Sequence, residues 1–222
     1  MALTKYNYNS FDVTTAASKS LGFNASANGF ATIDPGAMTL IKTLTASSSA
    51  TLSFVDGTSD VVLDNTYPIY VFKFINIHPA TDNVKLAIQG NAAGGSGFNE
   101  TITTTAIKSE HYENDASAGV SYDTTNDQAQ GTGYAPLMTG NGLGNANDES
   151  GSGYLLLFNP SSTTFVKHFV CRISHVGYQD IMMDNYVAGY FNTTSAIDEI
   201  SFKFNSGNID AGTIKLYGIK DS

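Results

Sequence analysis

The stretch Tyr67-Pro-Ile-Tyr-Val-Phe-Lys-Phe-Ile-Asn-Ile-His-Pro-Ala-Thr-Asp-Asn-Val-Lys-Leu-Ala-Ile-Gln89 decides the fold class. From Ile69 to Ile77 the residues alternate, with Ile69, Val71, Ile75 and Ile77 on one side and Tyr70, Phe72 and Phe74 on the other. Period-2 order in β-branched and aromatic residues predicts a strand, here one buried on both faces. His78-Pro79 ends it, because proline has no N–H for a ladder and restricts the residue before it. Thr81-Asp82-Asn83 supplies turn chemistry, and Val84, Leu86 and Ile88 alternate along a second strand. The expectation is the central hairpin of an all-β, antiparallel β-sandwich.

Working outward, the same pattern recurs. Strands are expected at 29–33, 38–44, 52–55, 61–63, 101–107, 154–158, 164–173, 186–191, 200–204 and 213–219, broken by turns such as Asp34-Pro35-Gly36, Asp56-Gly57 and Asn159-Pro160. About ten short strands with turn signals between them predict a sandwich of jelly-roll-like form. No amphipathic helix is expected beyond one turn near Asn192 to Asp198, and no internal repeat suggests a propeller or solenoid. The organisation expected is an N-terminal arm or edge segment over 1–28, with Lys5-Tyr6-Asn7-Tyr8-Asn9 reaching to a neighbour and Phe11, Val13, Leu21 and Phe23 as anchors. A single β-sandwich domain over 29–222 follows. Its region 110–152 is poor in apolar residues; this long loop is expected to be ordered by its tyrosines and to project from one end, where it meets a partner.

Composition narrows function. The 222 residues carry 11 Lys+Arg against 20 Asp+Glu, a net charge of −9, and Arg172 is the sole arginine. Phosphate-backbone binding needs clustered cations, so nucleic acid is not expected as a partner. No apolar run approaches the ~20 residues of a membrane span, and the first residues show no secretory pattern. Cys171, the single cysteine, excludes an internal disulfide, suits assembly in a reducing cytosol, and reads as a small buried apolar residue.

Catalytic spacing is missing. His78, His111, His168 and His175 form no His-x-His or His-Glu-x-x-His pair, although His168 and His175 can converge across a hairpin. Cys171 and His168 stand three apart and so face opposite ways on a strand. Gly95-Ser96-Gly97 and Gly151-Ser152-Gly153 lack the strand-to-helix setting of a nucleophile elbow, and Gly140-Asn141-Gly142-Leu143-Gly144 has neither a following helix nor a nearby lysine. Asp56 to Asp60 and Asn145 to Ser150 are dense in oxygen ligands, but they read first as turns. Tyr112, Tyr122, Tyr134 and Tyr178 are the candidates for stacking on sugar rings. No catalytic, cofactor-binding or metal-ligating residue is assigned, and no cofactor is expected.

Several phrases carry a resemblance. Met38 to Thr45, Leu52 to Gly57, Tyr70 to Phe74 running on to Ile77-His78-Pro79, Gly189 to Thr194 and Gly207 to Ile219 together resemble virion structural proteins of tailed phages from marine bacteria. The likeness spans Met38 to the C-terminus and consists of strand-and-turn signatures, so no functional residue carries over. It implies a non-enzymatic bacteriophage virion protein on the particle exterior, a capsid decoration or a tail or fibre component, assembled in the host bacterial cytoplasm. The implied partners are other virion proteins, with homo-oligomers, trimers among them, as the usual arrangement. The alternative is a carbohydrate- or receptor-binding sandwich for host attachment, and a sandwich hydrolase comes third.

Overall fold

The computed structural model describes residues 20–24, 26, 28–33 and 36–220, and these contain strands and turns but no helix. The chain divides after Thr39 into two compact units. In the first, β1 (Ser20–Phe23) pairs antiparallel with β2 (Phe30–Ile33), and Phe23 stacks on Phe30 with ring centroids 5.3 Å apart. Leu21 and Phe23, expected as anchors, are 56% and 70% exposed. The expected arm at Lys5 to Asn9 and the anchors Phe11 and Val13 lie outside the described residues.

The second unit is a two-layer antiparallel β-sandwich. Its large sheet has the order β3-β14-β5-β10-β11-β12-β7-β8 and its small sheet the order β4-β13-β6-β9. In chain order the large-sheet strands are β3 (Met38–Thr45), β5 (Ile69–Pro79), β7 (Ile102–Tyr112), β8 (Ala118–Tyr122), β10 (Gly151–Phe158), β11 (Lys167–Gly177), β12 (Ile181–Phe191) and β14 (Ile209–Ile219). Those of the small sheet are β4 (Leu52–Val55), β6 (Leu86–Ala92), β9 (Ala135–Pro136) and β13 (Ile197–Phe204). The described strands number 14, more than the ten or so expected. β1, β8 and β9 were missed, being short and carrying few of the bulky β-branched residues that mark a strand.

Aromatic rings lock the layers together. Phe202 of β13 lies 5.2 Å from both Phe72 and Phe74 of β5 and 6.4 Å from Phe54 of β4, all edge-on. All four side chains are buried. This inner face is the Tyr70, Phe72, Phe74 face of the deciding stretch. The opposite face is not uniformly buried: Val71 is covered, while Lys73 and Ile75 are exposed. At Asn76, with φ of 49°, the register with β10 and β14 shifts, and the bulge turns Ile77 into the core at 0% exposure.

Two expectations about strands need correction. β5 and β6 do not form a hairpin: β5 pairs with β14 and β10 in one sheet, and β6 with β13 and β9 in the other. The residues from Ala80 to Lys85 arch between layers, with Ala80 N–H bonded to Asn208 O and Lys85 N–H to Asn205 Oδ1. Likewise Val61-Val62-Leu63 is not a strand. It folds back on the Asp56 turn, whose Oδ1 accepts the Leu63 N–H at 2.8 Å, and it serves by burying Val61 and Leu63.

The region 110–152 does not project as expected. β11, β12 and β7 extend the large sheet beyond the small one, leaving an inner face that needs cover. Ala135, Leu137, Met138 and Leu143 all lie at 0% exposure and supply that cover. Leu137 N–H bonds to Leu86 O, and Leu143 bridges Val84 and Gly177. These four go to the core, while Val120 and Tyr122 of the same segment stay exposed.

Close packing also fixes Gly153. A Cβ there would collide with the Arg172 carbonyl oxygen and stand 2.8 Å from Ile173 Cα, both backbone atoms of the neighbouring strand. Gly153→Ala is expected to destabilise the protein by about 1–3 kcal/mol, read as a lowered urea midpoint. An unchanged midpoint would contradict the tight β10–β11 approach.

Candidate functional site

The groups with perturbed ionisation are mostly satisfied within the protein. Cys171 is buried among core side chains, and burial raises its thiol pKa. Lys167 is buried too; its Nζ donates to Phe165 O at 2.9 Å and Thr193 O at 3.0 Å, joining two loops, and burial lowers its pKa against the opposing pull of Glu100. Asp123 accepts the N–H groups of Thr125, Asn126 and Gly140 and the side-chain amide of Asn126. Burial pushes its carboxyl up, but these bonds outweigh that and hold it below the ordinary value.

His175 sits in a closed network. Asn185 Oδ1 accepts both the N–H and the hydroxyl of Thr139, which fixes the amide orientation. Asn185 Nδ2 therefore faces His175 Nδ1 at 3.1 Å, and the ring's other nitrogen bonds to Asn141 O at 3.0 Å. Two acceptor–donor assignments follow: Nδ1 carries a lone pair and Nε2 carries the proton, so the ring is neutral. Burial lowers its pKa to about 4.

The histidines do not converge. His168 is exposed beside Tyr190, His175 is buried seven residues away on the opposite face, and His78 bonds to Ala146 O. Among the described residues no group of three or more His, Cys, Asp or Glu is placed to hold a metal. In the Asp56 turn and the Asn145–Ser150 turn, Asp56 and Glu149 spend oxygens on Leu63 and Ala146 N–H groups. The glycine-rich Gly140 to Gly144 run gives N–H groups to Asp123 and Asn83, not to open space.

What stays open is the outer face of the large sheet. The ladder registers align Lys73, Tyr154, Arg172, Tyr186, Ile107 and Tyr122 in one row across β5, β10, β11, β12, β7 and β8. At ~4.8 Å per strand the row runs roughly 24 Å. Tyr154, Tyr186, Ile107 and Tyr122 are 41–48% exposed; Val170 and Met182 beside them are similarly open, and Val120 is 75% exposed. Arg172 is held in the middle: its Nε and Nη2 reach Asp184 at 3.1 and 2.8 Å, and its guanidinium lies 4.6 Å from the Tyr186 ring centre. A shallow groove of about 320 Å³ lies here, lined by Ser152, Gly153, Tyr154, Arg172, Ser174, Met182 and Asp184. A second, about 490 Å³, adjoins it across Met182 and Asp184 toward β8.

Comparison with protein-family models, with curated proteins and with solved structures found no match. The site therefore rests on its own geometry. The four tyrosines singled out in the sequence do not form a platform: Tyr122 is on the outer face, bonded to Asp127, while Tyr134 bonds Ser201 in the small sheet beneath Lys203. Tyr154 and Tyr186 were missed as surface residues. Both stand in apolar-looking strands, and only the register shows that they share a row with Arg172.

Proposed function

We propose that this protein is a non-enzymatic structural subunit on the exterior of a tailed-phage virion, a head decoration or a tail or fibre component. The observation that carries the reading is the open outer face of the large sheet. A contiguous set of exposed apolar and aromatic side chains of this extent marks a surface meant to be covered by another molecule. The strand order adds support. β3, β4, β5 and β6 alternate between sheets, as do β9, β10, β13 and β14, giving β3-β14-β5-β10 against β4-β13-β6-β9. We read this order as two nested Greek keys of a jelly roll, an architecture used by capsid proteins and lectins alike. β7–β8 and β11–β12 are then insertions that widen one sheet. The resemblance of the sequence phrases to phage virion proteins favours the virion within that pair. Electron microscopy of intact particles tests the proposal: density fitting this sandwich on the particle surface is expected, and purified particles without the chain overturn it.

A second reading, host-glycan binding, is favoured by the Tyr154–Arg172–Tyr186 row beside the hydroxyls of Ser152 and Ser174. Half-exposed rings beside a clamped Arg–Asp pair suit a sugar's apolar face and its hydroxyls. On a glycan array, Tyr154→Ala is expected to weaken saturable binding at least tenfold, about 1.4 kcal/mol, with the melting temperature unchanged. Equal binding by the variant removes this reading.

A further inference from the structure

Among the described residues β8 is the last strand of the large sheet and pairs with β7 alone. The other edges of the two sandwich sheets carry the usual protections. β3 contains Lys42, β9 is two residues long and includes Pro136, and β4 is four residues running straight into Asp56. β8 reads Ala118-Gly119-Val120-Ser121-Tyr122, without a charge or a proline, and all five residues are exposed, Val120 at 75%.

Its free edge is set by the ladder. Tyr112 N–H bonds to Ser117 O, and Asp123 N–H to Ala106 O, at the two ends of the β7–β8 pair. Hydrogen-bonded pairs alternate in an antiparallel ladder. Gly119 and Ser121 therefore face β7, and the N–H and C=O groups of Ala118, Val120 and Tyr122 point away from it.

We infer that β8 pairs with β8 of a second copy of this chain, antiparallel about a two-fold axis at Val120. Several features select a second copy over another chain's strand. The axis passes through a hydrogen-bonded pair position, so Val120 exchanges both bonds with its own equivalent. Ala118 then pairs with Tyr122 of the other copy, small against large, and the Tyr122 ring lies over the vacant space above alanine. No like charges meet within the strand, which matters for a chain of net charge −9. The pairing also continues the Tyr186–Ile107–Tyr122 row onto the second copy and covers Val120. It deepens the subunit-packing reading by naming one contact, and it is tested on purified protein, separately from where the chain sits on a particle.

Analytical ultracentrifugation of the purified full chain is expected to give a concentration-dependent dimer. Val120→Pro removes only an N–H that points away from β7, so the β7–β8 ladder survives, and the dimer is expected to be lost with circular dichroism unchanged. Val120→Lys, which sets two ammonium groups together on the axis, is expected to do the same. Val120→Cys supplies a positive signal: paired Cα atoms ~5.5 Å apart fall within disulfide reach, so mild oxidation should give a covalent dimer, with Cys171 buried and silent. Ser121→Cys, off the axis and on the other face, should not cross-link. A wild-type chain that stays monomeric, a dimer that survives both Val120→Pro and Val120→Lys, or failure of Val120→Cys to cross-link overturns the pairing. None of these results bears on whether the chain is found on virions.

Discussion

Replacing Phe202 by alanine is expected to destabilise the protein by about 3–5 kcal/mol, the largest effect of any single change considered. The ring is fully buried, comes from the small sheet, and meets Phe72 and Phe74 of the large sheet at 5.2 Å and Phe54 of its own at 6.4 Å. Truncation removes apolar burial and three edge-on ring contacts, and it leaves a cavity between two ladders whose spacing is fixed by hydrogen bonds. Neither layer can relax far to fill it. Against a total stability of roughly 5–15 kcal/mol, such a loss moves the urea midpoint far down or unfolds the chain at 37 °C. Phe165→Ala is the control, since that ring is 70% exposed and its loss should change stability by no more than about 0.5 kcal/mol. A Phe202→Ala cost below about 1 kcal/mol would mean that the two layers are not joined through this cluster.

Acidification should weaken the fold through His175. The ring's folded pKa is lowered from 6.5 to about 4 by burial. Hydrogen bonding gives the structural reason: a proton on Nδ1 would meet the Asn185 amide donor, and Thr139 prevents that amide from flipping. Below pH 6.5 the unfolded chain takes up a proton that the folded chain refuses. Stability from this source is therefore complete above about pH 6.5 and is lost as pH falls toward 4. The ceiling is about 3 kcal/mol. Carboxylates titrate in the same window, so the effect is isolated by comparing the wild type with His175→Gln in urea at pH 7 and pH 4.5. The wild type should lose about 2–3 kcal/mol more than the variant. Parallel pH profiles for the two proteins would show that His175 is not held neutral in the core.

The legibility of the sequence differed by element. Cys171 was readable as a small core residue because an alternating run surrounds it on both sides. Phe72 and Phe74 were readable as buried residues sharing one face for the same reason, but with both faces expected to be buried the sequence did not say which turns inward. The β5–β6 connection was not: Thr81-Asp82-Asn83 is turn chemistry, but a turn between layers and a turn within a sheet use the same residues. The segment ending at Ser152 was misread because its core contribution comes from four scattered apolar residues, with no period to give them away. The surface row failed to show for the opposite reason. Tyr154 and Tyr186 sit in strands so rich in apolar residues that neither announces an exposed face.

Alternation in residue type, with turn residues between runs, determined from sequence alone that this chain is all-β and, where no bulge intervenes as at Asn76, which side chains of a long strand share a face. Both are local properties, set within a few residues by the pleat of the backbone. Which strands become neighbours depends on contacts between residues far apart in the chain, and these leave no local mark. Only the tertiary structure decided that β5 and β6 belong to different layers, that residues before Ser152 roof the widened sheet, and that Tyr154, Arg172 and Tyr186 stand in line beside an unprotected β8 edge.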